Sequence, residues 1–134
     1  PLTDKFLVSK YFQGDFKAGA AEASFDNKKY VQEHETKNKD IDLDKEKISY
    51  NTLGVSIDNL IDKNLIDFPK LVKIDVDGNE IEILNGCTSL LKKAKKISIL
   101  IETRLTTEKI VEQKLSNHGF KKILSFGDNS IWKN

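Results

Sequence analysis

After the apolar pair Leu71 and Val72 comes Lys73, and then Ile74 and Val76 alternate with Asp75 and Asp77. The run breaks at Gly78, and a helical pattern opens at Asn79 and Glu80. A short strand that carries carboxylates to its C-terminal end, followed by a glycine and a helix, is how open α/β sheets build ligand crevices. Neighbouring segments extend the pattern. Upstream stands Val55-Ser56-Ile57-Asp58-Asn59-Leu60. Downstream stand Ile83-Leu84-Asn85-Gly86 and the apolar run Ile97 to Ile101, closed by Glu102.

The rest of the chain reads as an alternation of elements. Phe6 to Phe12 alternates as a strand, and Gln13 to Asn27, rich in Gly, Ala and Ser, reads as a loop with a short helical piece. Tyr30 to Lys47 is almost wholly polar and reads as an exposed connection. Ile48 to Ile57 is strand-like, with Gly54 as a bulge or turn, and Ser56 caps a short helix through Ile61. A break is expected near Phe68, because the residue before a proline resists the helical conformation.

Leu71 to Val76 is expected as the central strand. Asn79 is the expected cap of the helix that follows, with Glu80 and Glu82 in its first turn and Ile81, Leu84 and Leu91 on one apolar side. Thr88 is placed to cap a second short helix ending at Lys93. Ile97 to Ile101 has the continuous apolar character of a strand buried on both faces. Thr106 or Thr107 caps a helix over Glu108 to His118, with Ile110, Val111 and Leu115 inward and Gly119 as terminator. Phe120 to Phe126 and Ser130 to Lys133 form a hairpin around Gly127-Asp128-Asn129, with Trp132 as an edge-packing residue. This order defines an α/β class with parallel strands and an antiparallel closing hairpin.

The domain organisation is one unit over residues 1–134, with a variable, loop-rich region over 1–47 and an α/β core over 48–134. A length of 134 residues suits one domain but is short for a complete doubly wound enzyme. A formal charge of +1 and a single arginine, Arg104, leave no field suited to nucleic acid or an anionic membrane. No apolar run approaches the roughly 20 residues of a membrane span. Cys87 is the only cysteine, which excludes an internal disulfide; a reducing cytoplasm is the expected compartment, with Cys87 as a small core residue.

The ordered set Val55-Ser56-Ile57-Asp58-Asn59-Leu60, Lys73 to Gly86 and the strand closed by Glu102 resembles the FkbM family of S-adenosylmethionine-dependent methyltransferases. In that family a "T-L-D-x-L" segment precedes "K-I-D-V-E-G-x-E-x-x-V-L-x-G" and an apolar strand ending in glutamate. The match covers Val55 to Glu102, and Asp77 stands where the family has glutamate. The resemblance implies a Rossmann-like methyltransferase fold, S-adenosylmethionine as cofactor, and O-methylation of a small molecule or sugar. It also implies a glycine-rich turn for the cofactor, and no two of the seven glycines here have the G-x-G spacing. The chain therefore corresponds to the C-terminal part of that fold.

Methyl transfer is an in-line displacement at a sulfonium carbon. It takes an acceptor held against the methyl and often a base for the acceptor proton. Asp75 is the catalytic candidate. Asp77, Glu80 and Glu102 are the candidates for holding the substrate. Structural readings stand beside these: Glu80 stabilises a helix start, Asp77 bonds turn amides, Glu102 pairs with Arg104, and Lys73 pairs with one of the acids. Asp58 either caps a helix locally or contacts the cofactor.

No metal is expected. Asp75-x-Asp77-Gly78 brings glycine too early for a calcium loop, and in Asp40-x-Asp42-x-Asp44 position six is Lys45. His34 and His118 lack partners at zinc spacing, and His118 suits the carbonyls of a helix end. Beside the methyltransferase reading stands a non-catalytic binding or assembly module built on a half-fold. Such a module would leave a sheet edge to be covered, by a homo-oligomer or another chain.

Overall fold

The computed structural model describes residues 1–12, 24–25, 49–76 and 78–134. The expected polar connection over Tyr30 to Lys47 lies outside the described residues, as does most of the loop expected over Gln13 to Asn27.

The larger sheet grows from the apolar segments singled out above. β4 (Leu71–Ile74) pairs in parallel with β5 (Ser98–Glu102), with Ile74 opposite Ile101. Parallel strands need a crossover, supplied here by α2 (Glu80–Asn85) and α3 (Thr88–Lys93). After β5 the chain crosses through α4 (Glu108–Asn117) and returns as the hairpin β6 (Lys121–Phe126) and β7 (Asn129–Lys133). The hairpin turns on Gly127 and Asp128, with Gly127 at φ +55, a conformation that glycine adopts without a side-chain clash. β7 inserts antiparallel between β5 and β6, so the strand order is β4-β5-β7-β6. The parallel pair and the antiparallel closing hairpin agree with expectation.

Two placements differ from it. β4, expected at the centre, lies at the edge of its sheet among the described residues, and its Leu71 side chain is 68% exposed. Short apolar–acid alternation specifies a strand but not how many neighbours it has. Trp132, expected at an edge, lies on the inner strand β7 and is buried, its indole N–H donating to Ser130 Oγ at 2.9 Å.

The core lies on one face of this sheet. Ile74, Ile99, Ile101 and Trp132 meet Ile83, Leu84, Leu90 and Leu91 from α2 and α3, and Val111 and Leu115 from α4. Each such side chain, fully buried, contributes roughly 1.5–3 kcal/mol. Along α2 the buried set is Glu80, Ile83 and Leu84, while Ile81 is half-buried. Ile110, expected inward on α4, is 49% exposed: Val111 and Leu115 lie four apart on the buried stripe, and Ile110 falls about 100° from Val111. Gly119, at φ +82, terminates α4 as expected, and His118 Nδ1 lies 2.8 Å from the Lys114 carbonyl.

A smaller antiparallel sheet has the order β2-β1-β3, from β1 (Leu7–Phe12), β2 (Ser24–Phe25) and β3 (Ser49–Gly54). Region 1–47 therefore contributes two strands, and Ser24 and Phe25, expected in a loop, pair with β1. Gly54 is no bulge: it pairs with Leu7 in register, and a Cβ there would lie 2.5 Å from the buried Phe25 ring. Among the described residues, this sheet meets the elements of the larger one at two points. Asn79 Nδ2 donates to the Phe25 carbonyl at 3.2 Å, and the Thr3 carbonyl crosses close over Gly86.

Candidate active site at the carboxyl end of the parallel pair

β4 stops at Ile74, opposite Ile101, so Asp75 and Glu102 stand side by side just past the end of the β4–β5 pairing, with Glu102 still paired to Asn129 of β7. This is the end of a parallel pair where α/β sheets open their crevices. Lys73 and Asp75, two apart, share a side of the strand, and Lys73 Nζ lies 2.7 Å from Asp75 Oδ2. The Lys73 hydrogen bond, a side-chain hydrogen bond with Glu102 and the Lys73 charge hold the Asp75 carboxyl below the usual carboxylate range. The same hydrogen bond raises Lys73 above its ordinary value. Both side chains are about half open to solvent, at 61% and 47% exposure, so the cluster is reachable.

Glu80 is placed differently. The residue is 1% exposed and faces inward from the first turn of α2. Its Oε1 accepts from the Gly78 amide at 3.0 Å, and burial pushes its pKa up, against hydrogen bonds from the Gly78 and Glu80 amides and the charge of Arg104. Its carboxyl is thus enclosed, whereas that of Lys73's partner Asp75 opens to solvent. Asp77 lies outside the described residues. Of the four candidates, the structure brings Asp75 and Glu102 together and buries Glu80 at the start of α2.

Asp58 is resolved by a contact that its own segment does not reveal. Its helix, α1 (Ile57–Asp62), is capped locally by Ser56 Oγ, which accepts from the Asn59 amide at 3.1 Å. The Asp58 carboxylate instead accepts from the amides of Ser89 and Leu90, at 2.7 and 2.9 Å, at the start of α3. Thr88, expected to cap α3, is its first residue, and its hydroxyl donates to the Asn85 carbonyl. Asn79, expected to cap α2 with its side chain, spends that side chain on Phe25. The sequence signal for the Asp58 contact is indirect: an α3 start without an acidic or polar cap of its own.

Among the described residues no group of three or more His, Cys, Asp or Glu side chains is arranged to hold a metal ion. No described helix is long and apolar enough to cross a membrane. Cys87, as expected, is a core residue: it is buried, its Sγ lies 2.9 Å from the Ile83 carbonyl, and burial pushes the thiol up to about 12.

A mixed α/β fold with acids at the carboxyl end of its parallel pair fits a methyltransferase-like domain. A family profile described as "Methyltransferase FkbM domain" matches residues 7–123, and the chain belongs to that family. Neither a curated protein nor a solved structure matches the chain.

Proposed function

We propose that this domain works in an S-adenosylmethionine-dependent methyltransferase that places a methyl group on an oxygen of a small molecule or sugar. Its Asp75–Glu102 end would form the acceptor side. The observation that carries this reading is the Lys73–Asp75–Glu102 cluster, solvent-reachable and sited where parallel strands end, in a chain of the FkbM family.

In this reading Asp75, kept ionised by Lys73, would accept the hydrogen bond of the acceptor hydroxyl and hold its proton. General-base assistance of this kind contributes about 10²–10⁴ in rate. Glu102, beside Asp75 at the same strand end, would contact a neighbouring hydroxyl of the acceptor.

The residues described do not make a cradle for the cofactor. They contain no glycine-rich strand-turn, and the acids present suit hydroxyl donors rather than a methionine carboxylate. S-adenosylmethionine would supply the electrophilic methyl when bound.

The test is methyl transfer by the natural full-length polypeptide against a panel of sugars and hydroxylated small molecules, comparing wild type with Asp75→Asn. We expect about a hundredfold loss of turnover, with S-adenosylhomocysteine affinity unchanged. Wild-type turnover in Asp75→Asn would overturn the role of Asp75. An absence of cofactor binding by the full-length polypeptide would overturn the methyltransferase reading itself.

A further inference from the structure

Glu80 is the most unusual buried group among the described residues. It is 1% exposed, one carboxyl oxygen accepts from the Gly78 amide, and the other is buried without a hydrogen-bond partner among the described residues. A glutamate that only complements a helix dipole does so from the surface, in water. Enclosing its carboxyl carries a desolvation penalty, offset here by what the carboxyl holds in place.

What it holds is the turn after β4. The strand ends at Ile74 and α2 begins at Glu80, so five residues redirect the chain. Gly78 stands at φ +101, in the region that favours glycine, and its amide also points to the Val76 carbonyl at 3.0 Å. Asn79 ties the far end of the turn to Phe25 of β2. The turn is thus pinned from inside by Glu80 and from outside by the smaller sheet. Asp75 is its first residue, no longer held by the β4 ladder, so its direction depends on the turn.

We propose that Glu80 is a positioning residue. Through the Gly78 amide it holds the turn after β4, and it thereby fixes Asp75 against Lys73 and Glu102 without touching the substrate. The inference rests on the reading of Asp75 as the acceptor-side acid, but its main test needs no cofactor.

Two variants separate positioning from packing. Glu80→Gln keeps an acceptor for the Gly78 amide, whereas Glu80→Leu fills the space and removes the acceptor. The readout is the titration of the Asp75 carboxyl carbon by NMR. In wild type and Glu80→Gln it stays low. In Glu80→Leu it moves up toward the ordinary value of about 3.9, because the Lys73 contact loosens. Loss of the Glu80 charge alone would move Asp75 downward, and equally in both variants, so the two causes have opposite signs.

In the full-length enzyme Glu80→Leu then loses about tenfold to a hundredfold in turnover, as expected for a displaced catalytic group, and Glu80→Gln recovers it. An unmoved Asp75 titration in folded Glu80→Leu overturns the proposal. So does fast hydrogen exchange of the Gly78 amide in wild type, a measurement that survives even if a variant fails to fold. A full-length enzyme that binds no cofactor sinks the methyltransferase reading but leaves the titration result standing.

Discussion

Lys73 and Asp75 face each other across 2.7 Å where β4 gives way to the turn, and the contact sets the charge state of the candidate site. Because Asp75 lies below its ordinary value, its contribution to stability is present above the unfolded carboxyl value of about 3.9 and is lost as pH falls through the lower folded value. Lys73→Met removes the hydrogen bond and the charge that chiefly hold Asp75 low. The Asp75 titration should rise toward the ordinary range, and the acid limb of any pH–rate profile should rise with it. An Asp75 carboxyl that titrates unchanged in Lys73→Met would show that Glu102 and the turn, not the lysine, hold it low.

Asp58 joins α1 to α3 by accepting two backbone amides that a six-residue helix cannot satisfy by itself. Asp58→Ala should destabilise the fold by about 1–2 kcal/mol, the range of lost caps, read as a lower urea midpoint at constant slope. The effect on cofactor binding in the full-length protein should be nil. A stable Asp58→Ala protein with impaired cofactor binding would reverse that assignment and restore the alternative of a cofactor contact.

How far the sequence is legible depends on the range of the interactions involved. Elements governed by local chemistry are visible in it. Ser56 as a cap, Gly119 as a terminator, Gly127-Asp128 as a hairpin turn and the β5 apolar run all depend on residues within a few positions. The Asp75–Glu102 meeting is also legible, because a parallel pair brings its two strand ends to one side once both strands are recognised. What local chemistry does not encode is whom a segment meets. Apolar–acid alternation in Lys73 to Asp77 is the same for an inner and an edge strand, so the position of β4 had no local signal. Asp58 lies 31 residues before Ser89, and Asn79 lies 54 after Phe25, so both contacts exist only once the fold brings distant segments together. Glu80 is the sharpest case. A glutamate in a first helical turn is ordinary on a surface, and nothing in its neighbours announces that this one is enclosed.

Gly86 and Gly54 separate two kinds of close approach. A Cβ at Gly86 would lie 2.2 Å from the Thr3 carbonyl oxygen and 2.9 Å from Ser56 Cβ, whereas one at Gly54 would press chiefly on the Phe25 ring. Gly86 also carries backbone bonds in both directions: its amide donates to Glu82, and its carbonyl accepts from Asp58. Backbone cannot retreat as a ring can, so Gly86→Ala should cost about 3 kcal/mol and Gly54→Ala about 1 kcal/mol. Urea unfolding of the two variants gives the comparison directly. Equal costs would mean that the segment around Thr3 is free to shift, and that it is not fixed to the junction of α2 and α3.

Cys87 should be chemically silent while the protein is folded. The thiolate is the reactive form, and here burial, followed by the charge of Asp58, pushes the thiol up to about 12. A thiol reagent at neutral pH should therefore modify the chain only at the rate of unfolding, and full, rapid reaction in urea is the control. The same shift has a stability consequence. An unfolded cysteine loses its proton near pH 8.5, whereas the folded one keeps it until about 12. The favourable term is thus complete below about 8.5 and declines above it, at up to about 1.4 kcal/mol per pH unit, as the unfolded state alone ionises. Cys87→Ala should flatten that alkaline decline. Rapid labelling of the native chain would mean that α2 and α3 open locally, well below the free energy of global unfolding.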